Sequence, residues 1–314
     1  TTGKGYLIRM PDNHPTSPTA WVGNFVGKPN SGDLTIELST TGTGFNAVGN
    51  PYPSPISIAT FIANNNGVIN GNLYFWRKTN NASGSAYVSY IGGTFSDGPH
   101  AFNTIQPGQG FIVQATNAAD LQFNNAQRTT GNGVFYRNAE DATASRVWLH
   151  LKSNNEVIGN MAVGYREDAT NGIDVDLDAA YINDSAVALN SIVENATLAV
   201  QHRAAFEPTD VVPLTFKTNV AGSYTIALQA FDGLFENEEQ AVYVKDNVTG
   251  AEHNLKTGEY VFTTDSGIFN TRFELVYQST LSVENPTFNN VVVFSKNNAL
   301  EINAGNETIS SLTV

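Results

Sequence analysis

Apolar residues along this chain fall in short runs, many of them alternating with polar ones, and turn residues interrupt them at close intervals. Alternation with a period of two places one set of side chains on each face of a strand. A first series of strands is predicted at 6–10, 34–38, 73–77, 87–91, 110–114, 121–123 and 134–136. A second series follows at 146–151, 160–165, 198–202, 212–217, 222–228, 241–246, 260–263 and 272–277. Helical periodicity is confined to two short stretches, 57–63 and 186–193. Many short strands with regular turn signals predict an all-β fold built of sandwiches, jelly-roll or immunoglobulin-like.

The polar stretch 138–145 separates the two strand series. A second break falls at 278–286, and 291–296 with 299–302 then reads as the opening hairpin of another β unit. The expected organisation is two tandem β-sandwich domains, 1–140 and 141–280, and the start of a third unit at 281–314. The strand-like pattern runs up to both ends, so the chain is expected to be a piece of a longer protein.

Composition sharpens this picture. Only 14% of residues are charged, against about 25% in ordinary globular chains, and asparagine runs such as Asn64-Asn65-Asn66 take their place. Such a surface suits turns and strand faces. The formal net charge of −13 comes without a basic patch, which argues against binding nucleic acid or an anionic membrane surface. The absence of cysteine excludes disulfides and thiolate metal sites. No apolar run reaches the roughly 20 residues that a spanning helix needs, so no transmembrane segment is expected.

Several stretches carry a resemblance. They are Gly3-Lys4-Gly5-Tyr6-Leu7-Ile8-Arg9, Val48-Gly49-Asn50-Pro51-Tyr52-Pro53-Ser54, Leu73-Tyr74-Phe75-Trp76 and Pro107-Gly108-Gln109-Gly110-Phe111-Ile112-Val113. Asp246–Gly250, His253-Asn254-Leu255, Tyr260–Thr264 and 267–273 continue the series, followed by Ser282-Val283-Glu284-Asn285 and 291–302. In this order they resemble the C-terminal region of flavobacterial (Bacteroidota) cargo proteins of the type IX secretion system. The last segment resembles the start of a sorting domain that stops before its Tyr-Asp-x-x-Gly-Arg-like strand. The resemblance implies a secreted or cell-surface location. It implies the type IX translocon and its outer-membrane shuttle as partners, engaged through the sorting domain. It implies no activity for this region.

The sharpest local chemistry lies between positions 168 and 178. Asp174, Asp176 and Asp178 alternate, which on an extended segment puts three carboxylates on one side; Asp168 and Asn171 could add oxygens. Ca²⁺ takes six to eight such ligands, so these five residues form a candidate metal site beside the plainer reading of a solvated acidic loop. The spacing fails the EF-hand pattern. Tyr74, Trp76, Tyr87 and Tyr90 lie on two strands expected to be neighbours and form a candidate glycan-binding face, with core packing as the alternative. Asp184-Ser185-Ala186 resembles the short Bacteroidota O-glycosylation signal, which makes Ser185 a candidate modification site. Pro107-Gly108-Gln109-Gly110 precedes a strand and has no lysine, so it is a turn and not a phosphate loop. The five histidines are scattered and lack metal spacing. The chain is therefore expected to be a non-catalytic carrier or stalk, with no cofactor other than possible Ca²⁺. The alternatives are an adhesin or carbohydrate-binding module recognising surface glycans, and an accessory part of a polysaccharide-active enzyme.

Overall fold

The computed structural model describes residues 2–6, 26–76, 87–100, 103–130 and 144–279, and the backbone of 292–296 and 299–303. The predicted strand at 134–136, most of that at 6–10, Trp21, His14 and most of the expected boundary at 138–145 lie outside the described residues. Among the described residues the fold is all-β apart from one short helix and single helical turns. The chain forms two compact units, Thr1–Gln278 and Ser279–Val314.

The first unit contains two large hydrophobic cores, which define two lobes. The first lobe holds β1 (Leu34–Glu37), β2 (Phe45–Gly49), β3 (Ile56–Ser57), α1 (Ile58–Asn64), β4 (Ile69–Trp76), β5 (Tyr87–Ile91), β6 (Thr94–Phe95), β7 (Thr104–Ile105), β8 (Gly110–Ala115) and β9 (Asp120–Phe123). Five strands pair in the order β2-β8-β4-β5-β6, and β1–β9 and β3–β7 form two smaller ladders. Alternation decides which side chains turn inward: Phe111 and Val113 of β8 are buried while Gly110 and Ile112 are less so. Phe61 of α1 packs edge-on against Phe111 at 5.4 Å, closing the core. The helix starts where expected because the Ser57 hydroxyl accepts a hydrogen bond from the Thr60 N–H.

The Asn-Pro-Tyr-Pro stretch is a corner of this lobe. The Asn50 side chain accepts from the Tyr52 N–H and donates to the carbonyls of Ser54 and Ile105. The Tyr52 ring is buried and its hydroxyl donates to the Gly32 carbonyl at 2.6 Å. Asparagine here does the work of a backbone turn, at a place where proline has no N–H to give.

The second lobe holds β10 (Ser145–Ser153), β11 (Glu156–Tyr165), β12 (Ala179–Ala180), β13 (Ala188–Val193), β14 (Ala196–Arg203), β15 (Val211–Thr218), β16 (Gly222–Phe231), β17 (Tyr243–Asp246), β18 (Ala251–Asn254), β19 (Tyr260–Thr264) and β20 (Gly267–Val276). All eleven belong to one nearly closed sheet, in the order β18-β17-β20-β15-β13-β14-β11-β10-β16-β19 with β12 beside β14. Every pairing is antiparallel except that of β11 with β14. The curl brings Phe262 of β19 within 4.7 Å of Phe273 of β20, and Phe216 of β15 packs against both. Asn154 and Asn155 turn the β10–β11 hairpin with φ of 51° and 63°, the left-handed pair that a two-residue turn demands and asparagine tolerates.

The segment 186–193, expected to be helical, is mostly strand β13. Leu189 faces Phe216 of β15 and Ser191 faces Leu198 of β14, so two flanking ladders outweigh a weak local preference. In the second unit, β21 (Val292–Lys296) and β22 (Ala299–Asn303) pair antiparallel as the hairpin read from the sequence.

Candidate functional site

The two lobes of the first unit meet along the β5–β6 hairpin, and most of the sequence-derived candidates gather there. A third apolar cluster joins Ile91 of β5 to Trp148, Ala162, Ala179 and Val200 of the second lobe. Around it lies a ring of hydrogen bonds. The Trp148 indole N–H donates to the Phe95 carbonyl at 2.7 Å. Arg146 binds Asp232 through Nε and Nη2, and its Nη1 donates to the Gly93 carbonyl at 3.2 Å. Arg166 donates to the Gly92 carbonyl at 3.3 Å. Gln229 donates to the Asp97 carbonyl, and Asn183 bonds both backbone groups of Tyr87.

His202 sits fully buried at the centre of this junction. Its Nδ1 lies 2.5 Å from the Leu177 carbonyl and its Nε2 lies 3.1 Å from the Thr94 hydroxyl. A carbonyl can only accept, so the ring proton is on Nδ1 and the Thr94 hydroxyl donates to Nε2. Burial pushes the imidazole down to about 4, so it stays neutral at ordinary pH. Gly164 makes room for it: a Cβ there would lie 2.7 Å from His202 Cδ2. His202 does not stand out among the five scattered histidines because its partner Thr94 lies 108 positions away.

The acidic loop reaches the same junction, but its carboxylates do not line up. Residues 174–178 form a turn, with the N–H groups of Leu177 and Asp178 both donating to the Asp174 carbonyl. The expected extended segment with three carboxylates on one side is therefore corrected: a tight turn rotates successive side chains apart. Asp168 is clamped by Arg166 through two bonds of 2.7 and 2.8 Å, and these hold it below the usual carboxylate range. Asp174 accepts from the N–H and hydroxyl of Thr170. Asn171 accepts from the Ala204 N–H.

Asp178 is buried and points inward, accepting from the N–H groups of His202 and Asp174 at 2.7 and 2.8 Å. Burial pushes its carboxyl up to about 6 despite those two donors. Its own carbonyl accepts from Asn72 of the first lobe. Asp176 alone of the five candidates faces solvent without a partner among the described residues. Among the described residues no group of three or more His, Asp or Glu is close enough to hold a metal ion.

The four aromatic candidates separate into two pairs. Tyr74 is fully buried against Phe45 at 5.7 Å, and Tyr90 is buried against Phe95 at 4.7 Å. Both are core residues, which corrects their place on an exposed platform; each fills apolar space beside its sheet. Trp76 is 54% exposed and meets the half-buried Tyr87 edge-to-face at 5.0 Å across β4 and β5. This pair is what remains of the aromatic face. Ser185 is half-buried in the irregular connector between β12 and β13.

No helix among the described residues is long and apolar enough to cross a membrane. No curated protein and no solved structure matches the chain. A family model described as a domain of unknown function (DUF8693) matches residues 1–277, and the chain belongs to that family.

Proposed function

We propose that this chain is a non-catalytic carrier segment of a secreted or cell-surface protein, built of two tandem β-sandwich lobes that act as one stiff spacer. The observation that carries this reading is the buried junction around His202. Polar groups that could have served a ligand or a reaction are spent there on holding one lobe to the other. An interface closed by an apolar cluster, two arginines and a neutral histidine resists hinge motion far better than a flexible linker does. The resemblance to type IX cargo supports export through the outer membrane, with the hairpin at 292–303 opening the sorting domain.

The test is a fluorescent protein placed upstream of this chain, with a complete sorting domain downstream, in a bacterium that has a type IX translocon. The fusion should become accessible to external protease, and should stay protected in a translocon-deficient strain. Equal accessibility in both strains would remove the export part of the proposal.

A second reading rests on the exposed Trp76–Tyr87 pair, which supports glycan binding by an adhesin or carbohydrate-binding module. Retention on a polysaccharide that Trp76→Ala abolishes would move the function to that class.

A further inference from the structure

We infer that the cleft beside the lobe junction binds a primary ammonium group carried on an aliphatic body, with Asp176 as its counter-ion. The cleft has a volume of about 390 Å³ and is bounded by α1, the start of β4, the β5–β6 turn and the acidic loop. Its floor is aliphatic, from Ile62, Ile69 and Ile91. Gly71 lines it with φ of 77°, and a Cβ there would stand 3.4 Å from Ile91 Cδ1 and 3.8 Å from Ile62 Cγ2. The missing side chain is thus part of the cavity space.

The polar content of the cleft decides what it can take. Among the described residues Asp176 is the one lining residue that carries a charge at neutral pH, beside the amides of Asn66 and Asn70. Asp168, Asp174 and Asp178 are each engaged by neighbours, whereas Asp176 makes no hydrogen bond or ion pair with the described residues. An unpaired carboxylate over an aliphatic floor complements a cation with an alkyl stem, the way a lysine side chain lays its methylenes on apolar surface and keeps its head polar. The net charge of −13 adds attraction for cations at long range. An anionic ligand meets repulsion. A sugar would want the flat face of an aromatic ring, and Tyr90, the one aromatic lining the cleft, is 4% exposed. This inference stands apart from the carrier reading, since a stiff spacer can hold such a cleft or lack it.

The test is a two-dimensional amide NMR titration of the whole chain with n-hexylammonium chloride, beside 1-hexanol and methyl glucoside at the same concentrations. Saturable shifts at Gly71, Gly92 and Gly93 are expected with the ammonium compound. Asp176→Asn should weaken them about tenfold, as loss of one charge-assisted contact does. Ala63→Trp, at an exposed position on the cleft wall, should block them while the rest of the spectrum keeps its dispersion. Hexanol binding as well as hexylammonium, an undiminished titration of Asp176→Asn or Ala63→Trp, or no shift at these glycines would each overturn the inference.

Discussion

The imidazole Nε2 of His202 lies 3.1 Å from the hydroxyl of Thr94, and this bond lies among those that join the two lobes beside the apolar cluster of Ile91 and Trp148. The neutral imidazole is needed on both sides, donating to Leu177 and accepting from Thr94. A proton added to Nε2 would turn the Thr94 hydroxyl from donor to acceptor and would put a buried cation near Arg166 and Arg146, and burial opposes that charge most.

That arrangement makes a signed prediction about pH. His202 is held at about 4, below the ordinary 6.5, so the unfolded chain takes up the proton first as pH falls. Its contribution to stability is present above pH 6.5 and is lost between 6.5 and 4, by about 3 kcal/mol. Asp178, raised to about 6, acts in the opposite sense: its burial costs stability at neutral pH, and the cost is relieved as pH falls from 6 towards 3.8. The wild-type chain should therefore change little in stability over this range. His202→Gln should be clearly less stable than wild type at pH 7, with the difference shrinking by about 3 kcal/mol at pH 4. Urea unfolding of both proteins at the two pH values measures this.

Gly164→Ala tests the packing around the same ring. The added methyl would sit 2.7 Å from Cδ2 and 3.1 Å from Nε2 of His202, against a side chain that two hydrogen bonds hold in place. The expected cost is about 1–3 kcal/mol, seen as a lower urea midpoint with an unchanged slope.

Arg272 and Asp246 form a buried ion pair, at 2.9 Å, within the core of the second lobe. The guanidinium also lies within 5 Å of the ring centroids of Phe262 and Phe273. Burial alone would raise the Asp246 carboxyl, but bonds from Arg272, the Val248 N–H and Tyr260 hold it below the usual range. Removing one partner strands the other charge, so Arg272→Met or Asp246→Leu should cost about 3–5 kcal/mol. The double variant should lose less than the sum of the two, which thermal unfolding of all four proteins can measure.

The acidic loop gives a prediction about metal. Its carboxylates are turned apart and engaged separately, so saturating Ca²⁺ should leave the melting temperature where EDTA leaves it. A rise of several degrees with Ca²⁺, lost in Asp174→Ala, would show that the loop rearranges into a metal site.

Local pattern made much of the fold legible. The alternation at 146–151 and 212–217 marked strands β10 and β15, Ser57 marked the start of α1, and the hairpin at 292–303 stood out by its spacing. The misreading of 186–193 had a physical cause: Ala186–Leu189 carries no strong preference, and β13 exists because β14 and β15 flank it. The site was less legible. The alternation of Asp174, Asp176 and Asp178 assumed an extended backbone, and a single turn held by the Asp174 carbonyl undid that geometry. Tyr74 and Trp76 share a strand and a spacing of two, yet one is buried and the other exposed. His202, Trp148 and Arg146 are built from partners in the other lobe, which no local window contains.

The most direct test of a stiff two-lobed carrier is a distance measurement across the junction. The chain has no cysteine, so Thr41→Cys in the first lobe and Val248→Cys in the second give two unique attachment points for spin labels at exposed positions. Double electron–electron resonance should give one narrow distance distribution at pH 7, which should broaden when His202→Gln is added at the same pH. A broad or two-peaked distribution in the wild-type sequence at pH 7 would show lobes that hinge, and would contradict the rigid-spacer account.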